Sequence, residues 1–123
     1  MELLKNNIPF LIIVVFLLWR VFRYINGRKA LARTLATNNY QLVDVRSGAE
    51  YATFSIPGSI NVPVDKIVAG LPLIDKKRSI IVYCASGGRS AMARLHLLRL
   101  GYKDVINGGG VSTVANLLQK ETK

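Results

Sequence analysis

A chain of 123 residues has room for one small domain and little more. Half of the residues are hydrophobic and the formal net charge is +10, yet no basic stripe interleaved with aromatics is present, so nucleic acid is not the implied partner. One cysteine, Cys84, excludes an internal disulfide and fits a reducing compartment; with His96 as the only histidine there is no Cys/His cluster for zinc, and no metal or cofactor is implied.

The charge is unevenly spread. Residues 1–33 carry Lys5, Arg20, Arg23, Arg28, Lys29 and Arg33 against Glu2 alone, while the remaining ninety carry eleven basic and six acidic residues. The dense basic cluster flanks Ile8–Trp19, twelve consecutive apolar residues. Twelve is short for a membrane span and also suits a signal-peptide core. However, basic residues follow the run where a small-residue cleavage site is needed, and the basic excess lies after it. Extending the span from Leu3 or Leu4 to Ile25 gives about 20 residues, with Arg20 and Arg23 reaching the headgroups and Trp19 and Tyr24 at interface depth. The expected organisation is therefore an anchor over residues 1–24 and a domain over 25–123, with a very short junction. The basic asymmetry leads to the expectation of a single-pass membrane protein with its C-terminal side in the cytoplasm, against a cleaved signal or a buried core helix as the alternatives.

Beyond Ile25, helix and strand signals alternate. Asn26 is placed to cap a helix over Arg28–Thr37, with Ala30, Leu31, Thr34 and Leu35 on one face, ended by Asn38-Asn39. Gln41–Val45 reads as a strand, Ala49–Phe54 as a short helix, Pro57-Gly58 as a turn, and Ile60–Val62 as a second strand. Asp65–Ala69 reads as a helical turn or two. Ser79–Tyr83 is a continuous apolar run, the mark of a central buried strand. Ala91–Leu100 is a helix stopped by Gly101, with Ala91, Leu95 and Leu98 as its core stripe. Val105-Ile106 is a last short strand, Asn107–Gly110 a turn, and Val111–Gln119 a final helix. This alternation predicts an α/β domain with a mainly parallel sheet covered on both faces.

The chemistry concentrates after the buried strand. That strand delivers Cys84 to its carboxyl end, where open α/β sheets place ligands. The loop Ala85-Ser86-Gly87-Gly88 contains only small residues, so its backbone can curl several amides inward ahead of a helix N-terminus. Such a ring holds an anion and lowers the pKa of a thiol, and the thiolate is the attacking species. Arg89 adds a planar cationic fork suited to sulfonate or phosphate oxygens. A buried cysteine before a glycine turn is the plainer reading. The succession of strand, cysteine, small loop, arginine and helix argues against it.

The loop resembles the active-site loop of the rhodanese family of sulfurtransferases. Leu42-Val43-Asp44-Val45-Arg46, Glu50-Tyr51 and Ile56-Pro57-Gly58-Ser59-Ile60-Asn61-Val62-Pro63 are similar to the family's first block. Gly101-Tyr102 and Val105-Ile106-Asn107-Gly108-Gly109-Gly110 resemble its closing block. The resemblance covers roughly Ile25 to Leu118, in the family's motif order, and implies a single-domain rhodanese preceded by one transmembrane helix. It implies that Cys84 accepts sulfur as a persulfide and hands it to a thiol or cyanide. The amides from Ala85 through Ser86, Gly87 and Gly88 to Ser90 would cradle the persulfide. Arg89 would orient the donor or brace the loop, and Asp44 and Arg46 would support the site from behind. The family usually has His at Ser55 and often Trp at Val114; the first departure bears on a hydrogen bond near the loop entrance, the second on packing. Arg89 lies five positions after Cys84, the rhodanese spacing. Related cysteine phosphatases and arsenate reductases have one residue more, which widens the pocket for a tetrahedral oxyanion.

His96, two to three turns beyond Cys84, reads as a packing or surface residue, and a low-pKa thiolate needs no base for its first attack. Lys76-Lys77-Arg78 reads as a solvated loop, or as a contact to anionic lipid. Two active readings follow from the residues and the resemblance. One is a sulfurtransferase using thiosulfate or a persulfide donor; the other is a membrane-tethered persulfide carrier loaded by a partner protein. An inactive scaffold is disfavoured by the intact Cys84 and Arg89.

Overall fold

The computed structural model describes residues 2–72 and 74–121; Met1 and residues 122–123, the outer bounds of the two expected units, lie outside them. The chain begins with one long helix, α1 (Glu2–Thr37), which Pro9 does not interrupt. Its N-terminal part is long and apolar enough to cross a bilayer by length and composition. Phe10, Ile12, Val15, Phe16, Leu18 and Phe22 are each at least half exposed. The helix does not restart at Asn26, as expected from sequence, but runs through Asn26-Gly27 without a break. A helical glycine costs about 1 kcal/mol. The apolar run before it and the packing of Leu31 and Leu35 after it outweigh that cost. Asn38, in the left-handed region at φ 58°, ends the helix, and its N–H bonds Leu35 O at 3.3 Å.

The domain that follows is built on four parallel strands: β1 (Gln41–Asp44), β2 (Ile60–Asn61), β3 (Ser79–Cys84) and β4 (Asp104–Gly110). They lie in the order β2-β1-β3-β4. Between them run α2 (Gly48–Thr53), a 3-10 turn at Ile67–Ala69, and α3 (Gly88–Arg99); α4 (Val111–Glu121) follows β4. Alternation along β3 divides its side chains between two layers. Ile80, Val82 and Cys84 face α3 and the 3-10 turn, in a core with Val43, Val45, Ile67, Ala93, Leu97 and Val105. Ile81 and Tyr83 face α1 and α4, packing with Leu31, Leu35, Leu42, Ile56 and Val114. The expected parallel sheet with both faces covered is thus present.

Two local expectations are corrected. Asn107–Gly110 is not a turn but the second half of β4, because this segment runs alongside the loop after Cys84: Cys84 pairs with Gly110 and Tyr83 with Gly109, past a register shift at Val82/Tyr83. A Cβ at Gly110 would lie 2.7 Å from Ala85 O, and one at Gly108 would lie 2.8 Å from Val114 Cγ2. The glycines therefore serve close approach, and Val114 fills the space over the irregular step. On α3 the buried residues are Ser90, Ala93 and Leu97, whereas Ala91, Leu95 and Leu98 point outward. The phase of the helix is set by Ser90, which turns inward beneath the Cys84 loop. Small residues at 90 and 93 let the helix lie close on the sheet.

Candidate active site

Strand β3 carries Cys84 to the carboxyl edge, where only 1% of it is exposed. Ala85, Ser86 and Gly87 then cross to α3, which begins at Gly88, sooner than the sequence pattern indicates. Gly87 makes the crossing possible. Its φ of 102° is open to glycine, and a Cβ there would meet Gly109 Cα at 3.3 Å. In this conformation the Gly87 amide points back and donates to Cys84 Sγ at 2.9 Å.

Ser90 lies one turn into α3 and is fully buried, its Oγ 3.5 Å from Cys84 Sγ. The same hydroxyl reaches Gly87 O at 3.0 Å and Asn107 Oδ1 at 2.7 Å. Asn107 is held in turn by the Gly109 amide on Oδ1 at 2.9 Å, while its own Nδ2 donates to Gly87 O at 3.3 Å. One hydroxyl proton thus has three acceptors within reach, and a thiolate at Cys84 is the one that carries a full charge. Burial pushes the thiol pKa up. The Ser90 hydroxyl and the amides of Ser90, Ser86 and Gly87 pull it down, and the balance falls below the ordinary thiol value.

Arg89 is paired with a carboxylate of α2. Its Nη1 and Nη2 donate to Glu50 Oε1 and Oε2 at 2.7 and 3.0 Å, so the guanidinium braces the loop against α2. Glu50 is positioned by a capping box. Ser47 Oγ accepts from the Glu50 amide at 3.2 Å, and Glu50 Oε1 accepts from the Ser47 amide at 3.1 Å. The bonds from Arg89 and the Ser47 amide hold the Glu50 carboxyl down at about 2, and the same pairing raises Arg89.

Asp44 and Arg46 form a buried, two-pronged pair at the end of β1, with Arg46 Nη2 2.7 Å and Nε 3.0 Å from Asp44 Oδ2. Arg46 Nη2 also donates to Phe54 O, tying down the end of α2. Hydrogen bonding to Asp44 raises the Arg46 pKa against the cost of burial. Asp44 pairs in register with Tyr83, one step before Cys84, so this bridge supports the floor of the site.

The structure thus brings Cys84, the 85–88 loop, Arg89 and Ser90 together, with Asp44 and Arg46 behind them. Glu50 and Asn107, which the sequence places in the two family blocks without a role, also belong to this arrangement. The Ser47-x-x-Glu50 spacing is the signal that places Glu50 at a helix start; nothing local marks Asn107. His96 is half-buried on α3. Ser55 is half-buried, whereas Val114 is fully buried in the core, as a packing role requires.

Residues 28–114 match the rhodanese-like domain model. The chain is similar to a sulfurtransferase of Allochromatium vinosum, 38% identical over 85 residues, covering 68% of this chain and 79% of the relative. Thiosulfate sulfurtransferase PspE of Escherichia coli is 34% identical over 77 residues, covering 59% of this chain and 72% of the relative. Among solved structures, an Escherichia coli rhodanese with anions superposes with a TM-score of 0.58 at 31% identity, covering 62% of this chain and 92% of that one. The chain therefore belongs to the rhodanese-like domain family.

Proposed function

We propose that Cys84 carries a sulfane sulfur as a persulfide and passes it to an acceptor thiol, in a domain held at the cytoplasmic face of a membrane by α1. The observation that carries the chemistry is the pair of polar contacts on one buried sulfur, Gly87 N at 2.9 Å and Ser90 Oγ at 3.5 Å. In the first step the Cys84 thiolate attacks the outer sulfur of the donor. The donor's S–S bond breaks and its electron pair leaves with the departing group, sulfite from thiosulfate or a thiolate from a persulfide. The amides of Ala85 to Ser90 surround the added sulfur. In the second step an acceptor thiolate, or cyanide, attacks that outer sulfur and Cys84 leaves as thiolate, ready to be loaded again.

Arg89 is engaged with Glu50, so the loop does not depend on it for a free cation to clamp a small anionic donor. Similarity to known proteins keeps thiosulfate beside a persulfide as the donor, since PspE of Escherichia coli and a relative from Saccharomyces cerevisiae are named as thiosulfate and thiosulfate:glutathione sulfurtransferases. It also keeps a carrier role in view, since a putative sulfur carrier protein, YrkF of Bacillus subtilis, is 33% identical over 66 residues, covering 54% of this chain and 36% of that protein. The anchor is supported by the exposed apolar length of α1 and by the basic residues that follow it.

Mass spectrometry of the full chain after exposure to thiosulfate or to glutathione persulfide tests the chemistry. A gain of about 32 Da on Cys84, one sulfur atom, is expected with the persulfide, and release of that mass to a thiol is expected on chasing. Loading from the persulfide without thiosulfate turnover selects the carrier role. Loading that persists in Cys84→Ser removes Cys84 from the mechanism.

A further inference from the structure

The continuity of α1 fixes how the domain meets the membrane, and this rests on the anchor proposed above. Only Asn38–Tyr40 separate Thr37 from Gln41, so the C-terminal end of α1 sits at the amino edge of the sheet, where the strands begin. Followed backward, α1 crosses the sheet toward the carboxyl edge, packing Leu31 and Leu35 on Ile81, Tyr83 and Val114. From Thr37 to Ile25 the helix measures about 18 Å. Strand β3, from Ser79 to Cys84, measures about 17 Å. The apolar stretch therefore leaves the domain level with Cys84. Arg28 also lines a groove along α4 that starts at Thr113, three residues past Gly110, the register partner of Cys84.

We propose that the carboxyl edge of the sheet, with the Cys84 loop, faces the bilayer surface, so that Cys84 exchanges sulfur with thiols presented at that surface. The residues at this edge suit a headgroup layer. Phe54 and Met92 are 55% and 54% exposed, one at the end of α2 and the other in the second turn of α3. Arg20, Arg23, Arg28 and Lys29 stand exposed along the adjoining helix, where anionic headgroups attract them. Lys76, Lys77 and Arg78 precede β3 and fall on the opposite edge, away from lipid, so the basic run is a solvated loop.

The test uses the full chain in phosphatidylcholine vesicles with a minor fraction of phosphatidylglycerol. In a Cys84→Ser background, a bimane label is placed at Phe54→Cys, Met92→Cys, Lys77→Cys or Lys103→Cys, and quenching by a headgroup spin-labelled lipid is read. Loss of emission at 54 and 92, with 77 and 103 unchanged, is expected, and a flexible Gly/Ser insertion after Asn26 should erase the difference. Equal quenching at all four sites, or the reverse order, overturns the orientation. A chain that fails to float with the vesicles overturns the anchor and the orientation together. With Cys84 intact, a vesicle-borne thiol lipid should take sulfur from the loaded protein faster than the same thiol free in solution. An advantage that survives the Gly/Ser insertion counts against the surface-thiol assignment. Failure of Cys84 to load at all, with the quenching pattern intact, overturns the sulfur chemistry and leaves the orientation standing.

Discussion

Arg89 grips Glu50, not the sulfur: its two terminal nitrogens meet the two carboxylate oxygens at 2.7 and 3.0 Å, joining the Cys84 loop to α2. The contact spans 39 positions of sequence and both side chains remain partly exposed, so its value lies in positioning more than in stability. Glu50→Gln keeps the capping box, since glutamine serves there equally, and removes only the charge. Cys84 loading should slow by roughly tenfold or more as the loop loses its brace, because small misplacements of a reacting group are costly. Stopped-flow loading of the two proteins is the measurement; equal rates would show that the brace is irrelevant.

The same pair has a pH signature. The Glu50 carboxyl titrates at about 2 in the folded chain against an ordinary 4.5, chiefly through Arg89. A lowered carboxylate pKa contributes stability that is complete above the unfolded value and is lost as pH falls through the folded one. The difference in melting temperature between wild type and Glu50→Gln should therefore be level above about pH 4.5 and shrink toward about pH 2. A gap indifferent to pH across that window counts against the pairing.

Ser90 should set the reactivity of the thiol. Its hydroxyl lies 3.5 Å from Sγ and is the largest of the influences that lower the Cys84 pKa. Ser90→Ala leaves burial, which raises the pKa, opposed only by the amides. The midpoint of alkylation by iodoacetamide should move to higher pH and the rate at neutral pH should fall. Stability should drop by only about 1 kcal/mol, as Asn107 Oδ1 keeps the Gly109 amide. An unchanged alkylation profile in a folded Ser90→Ala protein would falsify the role.

The parts of this site that were legible in sequence share a local signature. β3 announces itself because a strand buried on both faces must be apolar throughout, and the loop because Gly87 needs a positive φ. The roles of the Ser90 hydroxyl, Asn107 and Glu50 rest on the Ser90–Cys84, Ser90–Asn107 and Arg89–Glu50 contacts, which span 6, 17 and 39 positions, so no short window of sequence displays them. The stripe of α3 misled for a related reason. Ala91, Leu95 and Leu98 are the apolar set, but the helix is rotated so that Ser90 reaches the thiol. A polar residue is thereby buried and Leu95 is left 48% exposed. Asn26-Gly27 has the composition of a break, yet both flanking segments are held as helix for other reasons.

The Asp44–Arg46 bridge should behave as a buried ion pair. Asp44 is fully buried and Arg46 nearly so. Removing one partner strands the other, at about 3–5 kcal/mol. Asp44→Ala should lose that amount in denaturant unfolding. The double variant Asp44→Ala with Arg46→Met should lose less than Asp44→Ala alone, because no uncompensated charge remains. Strictly additive losses would mean that the two side chains do not act as a pair.

Gly110→Ala tests the closeness of β4 to the loop. A Cβ at this position lies 2.7 Å from Ala85 O, a backbone atom that cannot swing aside, and 3.7 Å from Ser86 Cα. Overpacking of this kind costs about 1–3 kcal/mol. The displacement falls on the residues that follow Cys84, so loading should suffer more than the loss of stability alone explains. Gly108→Ala is the matching control. Its Cβ meets Val114 Cγ2 at 2.8 Å and Ile81 Cγ2 at 3.0 Å, side chains of the other layer. At temperatures where both variants remain folded, Gly108→Ala should load Cys84 near the wild-type rate while Gly110→Ala does not. If the two slow alike, the loop responds to general loosening of the sheet and not to the Gly110–Ala85 contact.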